Sequence, residues 1–197
     1  MRPFRCPQSV EEVGYHTKKK SIGYKERDEK ARDEFRQTIA TIPEELAVYV
    51  DETGIDQCLY RPYDRALRGV PVQEKISGKK YQRTSVVAGQ CGKDIIAALQ
   101  YSGTMDSRLF LMWFQTILLP LVNAGCVIVM DNARFHQKKA LCEMAKQAGC
   151  QVLFLPPYSP DLNRIETFWA WLKNRLRSIL TRFSSLDDAI SDCFMVA

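Results

Sequence analysis

The sequence predicts an α/β domain in which helices cover both faces of a mixed β-sheet. Two continuous apolar runs, residues 46–50 and 126–130, are typical of buried strands, and an aspartate follows each directly. Between them, two strand-like segments separated by a short turn favour an antiparallel hairpin. The rest of the chain alternates helical and strand-like segments, which favours a sheet with helices packed on it.

Composition indicates one ordinary folded domain with an arm. The chain has 197 residues, of which 46% are hydrophobic and 26% charged. The most apolar window, residues 109–122, is interrupted by Gln115, Thr116 and Pro120, so it predicts a buried helix and no membrane span. The basic N-terminus lacks the apolar stretch of a secretory signal, and the seven cysteines are scattered without a Cys-x-x-Cys pair. We therefore expect a cytoplasmic protein with reduced thiols and no zinc site.

The residue composition of the chain changes near residue 45. Residues 1–45 are dominated by charge with sparse apolar positions, which predicts a charged arm or linker helix without a core of its own. A folded domain is expected over residues 46–197. Its first strand, residues 46–50, should stop at a turn formed by residues 51–54.

The remaining elements follow from periodicity and turn residues. We predict, in chain order, a strand at 83–89, a turn at 90–94, a strand at 95–101, a helix at 106–122, a strand at 126–130, a helix at 137–148 and a strand at 151–155. A rigid loop at 156–160 should lead into a long helix that ends near residue 180. Ser159 is expected to cap this helix, with Pro160 in its first turn.

Three acidic residues are candidates for a metal site. If the strands before Asp51 and Asp131 are neighbours, the two carboxylates meet at one sheet edge and repel each other unless a proton or divalent cation intervenes. Glu166 lies at the border of the apolar stripe of the last helix, and Lys173 shares its side. That stripe comprises Leu162, Ile165, Trp169, Leu172, Leu176 and Ile179. The alternatives are that each aspartate only caps a turn and that Glu166 is a solvated surface residue.

Three sequence blocks resemble the catalytic blocks of DDE transposases. They span residues 51–54 (Asp-Glu-Thr-Gly), 129–136 (Val-Met-Asp-Asn-Ala-Arg-Phe-His) and 155–169, which contains Pro-Tyr-Ser-Pro-Asp-Leu-Asn-Arg-Ile-Glu. The similarity is greatest to the bacterial insertion-sequence six-thirty group, which is related to the mariner elements. Arg164 stands where many relatives have proline, two residues before the acid. The resemblance covers about residues 15–195.

The resemblance implies an RNase H-like fold and a transposase activity. It implies that Asp51, Asp131 and Glu166 bind two Mg²⁺ or Mn²⁺ ions, with Asn132 and His136 flanking the site. It places the first acid at Asp51, although Glu52 is a rival. The implied function is metal-dependent cleavage at the ends of a mobile element, followed by 3′-OH strand transfer into target DNA at a TA dinucleotide.

A basic stretch suggests where DNA binds. Residues 61–93 contain eight basic and two acidic side chains, a pattern that suits a polyanion, although a solvated charged surface explains it equally well. The expected contacts to the DNA backbone are Arg61, Lys79, Lys80 and Arg83, and Lys173 is a further candidate for a phosphate.

The partners expected from these assignments are the element ends and the target DNA. We expect a homodimer in the synaptic complex and no membrane partner. The chain opens inside a charged arm, so we expect a DNA-binding helix-turn-helix portion to be supplied upstream, in the same product or as a separate protein. Two other functions remain open. One is an RNase H-like nuclease or resolvase that cleaves without joining, and the other is a non-catalytic DNA-binding or regulatory fragment.

Overall fold

A five-stranded mixed sheet forms the centre of the computed structural model, which describes residues 25–56 and 83–196. The strands are β1 (Ala47–Asp56), β2 (Arg83–Cys91), β3 (Asp94–Ser102), β4 (Val127–Met130) and β5 (Gln151–Phe154). Their order in the sheet is β3-β2-β1-β4-β5. The pairs β3-β2 and β2-β1 are antiparallel, and the pairs β1-β4 and β4-β5 are parallel. The predicted mixed sheet is confirmed.

Helices cover both faces of this sheet and enclose two cores. They are α1 (Glu29–Ala40), α2 (Ser107–Trp113), α3 (Lys138–Gln147), α4 (Ile165–Ile179) and α5 (Leu186–Met195). One core contains buried residues of α1, α4 and α5, and the other contains those of α2 and α3. Because side chains alternate along a strand, Tyr49 of β1 enters the first core while Val48 and Val50 enter the second.

The first strand is longer than the sequence predicts. It does not stop at Asp51 but continues to Asp56, because β2 pairs with it from Val48↔Cys91 to Asp56↔Arg83. The prediction of a turn at residues 51–54 is therefore wrong. The parallel partner β4 is short and ends at Met130. Asp51 therefore lies just past the parallel pairing with β4, although the antiparallel pairing with β2 continues through it.

The helix predicted at residues 106–122 is interrupted. Asp106 caps α2 as expected, since its carboxylate accepts a hydrogen bond from the Leu109 N–H at 2.8 Å. After Trp113 the chain forms a π-helical turn (Phe114–Leu118) and a 3₁₀ turn (Leu119–Leu121). Proline lacks the N–H that a continuing α-helix needs, so Pro120 accounts for the tight end of this segment.

The last two helices also differ from expectation. Ser159 makes no cap, because its hydroxyl donates to the Pro157 carbonyl instead, and residues Pro160–Leu162 form a separate 3₁₀ turn. The long helix α4 begins only at Ile165, which places Glu166 in its first turn. Helix α5 was not predicted; Ser185 caps it by accepting a hydrogen bond from the Asp188 N–H.

The charged helix α1 is anchored to the domain. Phe35 is buried in the core that α4 and α5 form, and the Arg32 side chain is only 3% exposed. Both terminal nitrogens of Arg32 donate to the Asp161 carboxylate, at 3.1 and 2.7 Å. The division of the chain near residue 45 stays a prediction, but α1 contributes side chains to the core of the domain.

The described residues also bear on membrane-spanning helices and on the state of the cysteines. None of the helices within 25–56 and 83–196 is long and apolar enough to cross a membrane. The five cysteines in these ranges are free thiols, and they are Cys91, Cys126, Cys142, Cys150 and Cys193.

The Arg32–Asp161 pair generates a stability prediction. Asp161→Asn should lower the free energy of unfolding by about 1–2 kcal/mol at pH 7, because breaking a buried ion pair costs several kcal/mol and the partial exposure of Asp161 reduces that cost. The matched control is Asp33→Asn, which breaks an exposed pair with Arg36 on the same helix and should cost under about 0.5 kcal/mol.

The same pair sets the pH dependence. The hydrogen bonds from Arg32 hold the pKa of Asp161 below its ordinary value. A lowered carboxyl pKa contributes stability above the unfolded pKa of about 3.9 and loses it as pH falls through the folded pKa. Urea unfolding should therefore separate wild type from Asp161→Asn at pH 7 and bring them together in acid. An unchanged difference at pH 3 would contradict this origin.

Candidate active site

The three predicted acids line one cavity. It has a volume of about 500 Å³ and lies where the parallel pairing of β1 with β4 ends. Asp51, Asp131 and Glu166 all contribute to its lining, together with Asn132 and Asn163 and the loop at residues 155–160. The structure thus brings together residues that are up to 115 positions apart in the sequence.

Strand register places the two aspartates side by side. The parallel pairing runs Ala47↔Val127, Val48↔Ile128 and Tyr49↔Val129, and two further steps set Asp51 beside Asp131. Asp51 shares the sheet face of Tyr49, against which α4 packs. Glu52 belongs to the opposite face and does not line this cavity. It does line a smaller cavity of about 150 Å³ together with Asp51 and Asp131, so only the cavity that Glu166 shares distinguishes Asp51 from its rival Glu52.

Asn163 connects the start of α4 to the middle of β1, and no sequence pattern singles it out. Its side chain is buried and its Nδ2 donates to the Val50 carbonyl at 3.2 Å. Its own carbonyl accepts the Glu166 N–H at 3.2 Å. One residue thus contacts both the residue before Asp51, through its side chain, and the backbone of Glu166, through its carbonyl.

The carboxylate of Asp131 is oriented by its neighbours. Its Oδ1 accepts the Ala133 N–H at 3.0 Å and lies 3.3 Å from Nδ1 of His136. The same Nδ1 lies 3.2 Å from the Asp131 carbonyl, so both of its close neighbours are acceptors and Nδ1 carries the proton. The His136 side chain is 4% exposed and packs against the rings of Phe110 and Phe135, at centroid distances of 4.3 and 4.5 Å. Burial lowers the pKa of His136, although the Asp131 charge opposes the shift.

Negative charge is concentrated at this sheet edge. Burial, assisted by the charges of Glu166 and Asp131, raises the pKa of Asp51 to about 7. Burial and the charges of Asp51 and Asp131 raise the pKa of Glu52 to about 8. Carboxylates that repel one another in this way are stabilised by a proton or by a cation.

The donor set fits a hard divalent cation. Carboxylate oxygens are the ligands that Mg²⁺ and Mn²⁺ prefer, and buried Oδ1 of Asn163 has no hydrogen-bond partner among the described residues. Across the described ranges, however, no three acid, histidine or cysteine side chains are gathered tightly enough to hold an ion by themselves. Mg²⁺ commonly takes one or two carboxylates, waters and substrate phosphates, so an incomplete protein shell agrees with a site that substrate completes.

One residue of the cavity lining has an unusual backbone conformation. Tyr158 is 52% exposed and adopts a positive φ of 53°, which is uncommon for a residue with a side chain. Its carbonyl accepts a hydrogen bond from Nε of Arg27 at 3.0 Å.

Of the residues predicted to flank the site or to bind DNA, some line the cavity and others lie elsewhere. Asn132 lines the cavity and donates to the Leu155 carbonyl at 2.6 Å. Lys173 is half-buried on α4 and does not contribute to the cavity lining, and Arg83 lies with Glu52 on a separate cavity on the other side of β1. The other predicted backbone contacts, Arg61, Lys79 and Lys80, lie outside the described residues and stay predictions.

One family model matches most of the chain. Residues 47–190 match the model of a family described as DDE superfamily endonuclease. A Sinorhizobium fredii protein named uncharacterized protein y4pE/y4sA is 32% identical over 75 residues, which are 36% of this chain and 49% of that protein. The matched segment is therefore a limited part of both proteins.

Solved structures show the same fold. The Mos1 transposase paired-end complex with left transposon end matches with a TM-score of 0.65 and 15% identity, over 94% of this chain and 64% of that chain. The Mos1 mariner paired end complex with Mn matches with a TM-score of 0.66 and 15% identity, over 95% and 62% respectively. The fold is thus the RNase H-like mixed sheet of transposase catalytic cores. This chain spans about half the length of the curated relative and slightly under two thirds of these two solved chains.

The crowding of acids generates a second stability prediction. Asp51→Asn should raise the free energy of unfolding by about 1 kcal/mol in EDTA, because it removes one of the repelling charges. Asp56→Asn, an exposed acid at the end of the same strand, is the matched control and should leave stability unchanged. Thermal unfolding in EDTA measures both variants.

Adding millimolar Mg²⁺ or Mn²⁺ should reverse the order. A cation that binds only the folded state raises the melting temperature of the wild type more than that of Asp51→Asn. Equal metal-induced shifts in the two proteins would remove Asp51 from the cation site.

Proposed function

Because the chain belongs to the DDE superfamily endonucleases, we propose that it cleaves DNA at the ends of a mobile element and transfers the freed 3′-OH into target DNA, at a TA dinucleotide. The observation that carries the proposal is the convergence of Asp51, Asp131 and Glu166 on one cavity. These residues come from the three sequence blocks whose resemblance to DDE transposases suggested the activity.

The proposed site holds its metal through these acids. Asp51, Asp131 and Glu166 would bind two Mg²⁺ or Mn²⁺ ions, and solved Mos1 complexes with Mn and with Mg support this choice. When bound, such ions activate the attacking oxygen and stabilise the charge that develops on the leaving oxygen. A single cavity would then serve both hydrolysis and strand transfer without a covalent enzyme intermediate.

The surrounding residues fix the acids in place. The Ala133 N–H and His136 orient the Asp131 carboxylate, and Asn163 holds the first turn of α4 against β1. The bidentate Arg32–Asp161 contact anchors the 3₁₀ turn that precedes α4. Such preorganisation matters because a displacement of about 1 Å in a reacting group can lower a rate about a hundredfold.

The proposed partners are DNA and a second copy of the chain. Mos1 structures described as paired-end and strand transfer complexes support transposon ends and target DNA as substrates. By the same likeness we propose a homodimer in the synaptic complex, with a helix-turn-helix portion supplied in cis or in trans. Activity on chromosomal DNA agrees with the predicted cytoplasmic location.

Cleavage assays test the proposed chemistry. Asp51→Asn, Asp131→Asn and Glu166→Gln should each lower Mg²⁺- or Mn²⁺-dependent nicking of an element-end duplex by at least about a hundredfold, because each removes a charge needed to hold the cation. Nicking of a labelled strand, measured on a denaturing gel in a single turnover, reports this loss.

Glu52→Gln is the matched control. The raised pKa of Glu52 keeps much of this side chain protonated at neutral pH, so the amide resembles its ordinary state and nicking should fall less than about fivefold. Nicking by Glu166→Gln at the wild-type rate would remove Glu166 from the site. A joining assay with precleaved ends separates a transposase from a nuclease, because only strand transfer yields a branched product.

A further inference from the structure

A groove beside the catalytic cavity carries unpaired positive charge. It lies at the beginning of α3, and its lining includes Arg134, His136, Lys138 and Lys139. Asn132, Ala133 and Arg134 line both this groove and the cavity that holds the three acids. The groove is therefore a continuation of the catalytic cavity along the surface.

The cations of the groove have no acidic partners. Arg134, Lys138 and Lys139 are exposed, and within the described part of the chain none of them forms an ion pair. The Nζ of Lys138 lies over the face of the Phe154 ring, 4.9 Å from the centroid. Among the residues that the structure describes, no acidic side chain lines the groove. The cavity next to it differs, because Asp51, Asp131 and Glu166 line it.

The position of the lysines opposes the electrostatics of their own helix. Lys138 and Lys139 occupy the first turn of α3, where the partial charge of the helix is positive and acids are favoured. That turn has no acid, and Gln137 supplies no side-chain cap to its free N–H groups. The arrangement costs folding energy unless an anion binds there.

A buried histidine provides an independent observation. His136 lines the same groove, its side chain is 4% exposed, and its Nε2 has no hydrogen-bond partner among the described residues. Its Nδ1 is already engaged with Asp131. The ring thus leaves one unsatisfied buried acceptor beside the groove.

We propose that this groove binds the phosphate backbone of the DNA strand that enters the catalytic cavity. The inference rests on the proposed function and assigns the substrate contacts next to the acids. Arg134, Lys138 and Lys139 hold successive phosphates by charge, and the free N–H groups of α3 contact the same backbone. Phosphate contacts carry no sequence information, so the groove sets the position of the strand and leaves recognition of the element end to other residues.

The same lysine-to-glutamate change, made separately at each end of α3, tests the groove. Lys139→Glu and Lys146→Glu change the net charge equally, but Lys146 lies in the last turn of the helix, away from the groove. The groove variant should weaken binding of a duplex oligonucleotide about tenfold and make the slope of log affinity against log salt shallower by about 1. Lys146→Glu should weaken binding less than about threefold.

Thermal unfolding without DNA should show the opposite order of effects. Lys139→Glu should raise the melting temperature by about 1–4 °C and Lys146→Glu should lower it, since an acid suits the start of a helix and a base its end. Inorganic phosphate should raise the melting temperature of the wild type more than that of Lys139→Glu. Equal weakening of DNA binding by both variants, or an unchanged salt slope in Lys139→Glu, overturns the proposal.

DNA binding is measured in EDTA, without catalysis, so that the proposal for the groove and the proposed reaction can be rejected independently. Loss of nicking in every metal condition, with the groove effect intact, rejects the proposed reaction and keeps the groove as a phosphate site. Normal nicking with no difference between the two lysine variants rejects the groove and keeps the reaction. Lys139→Ala serves as a milder second variant, with the same shift in slope expected.

Discussion

The parallel pairing of β1 with β4 is the constraint on which the site depends. It places the ends of two chain segments, about 80 residues apart, at the same edge of the sheet, and the register sets Asp51 beside Asp131. Two cores keep β1 and β4 in this pairing by covering the sheet on both faces. Helix α4, packed on the face that Asp51 shares, then adds Glu166 from its first turn.

Several local features of the site are unfavourable by themselves. Carboxylates crowd one sheet edge, Tyr158 has a positive φ, lysines occupy the start of α3, and a buried Asn163 oxygen has no described partner. A bound cation would relieve the repulsion among the carboxylates, and a bound phosphate would relieve the unfavourable charge at the start of α3. The contact of Arg32 with Asp161 stabilises the segment that carries Tyr158 and Asn163.

Short-range patterns were enough to predict the sheet, whereas the three acids were assigned to one site only with the help of the family resemblance. Continuous apolar runs ending in aspartate located β1 and β4, and the 3.6-residue stripe placed Glu166 at the border of α4. The errors arise where distant contacts decide: pairing with β2 extends β1 beyond Asp51, and a hydroxyl bond to the Pro157 carbonyl removes Ser159 as a cap. The roles of Asn163 and Arg32 depend on partners more than 110 residues away, which no local pattern reveals.

The most direct test of the central claim is anomalous diffraction from crystals soaked in Mn²⁺. The account predicts anomalous peaks inside the cavity, within coordination distance of carboxylate oxygens from Asp51, Asp131 and Glu166. Such peaks would show that the three segments form one metal centre. A Mn²⁺ peak coordinated by Glu52 on the opposite face, or full occupancy at a position that Glu166 does not reach, would contradict it.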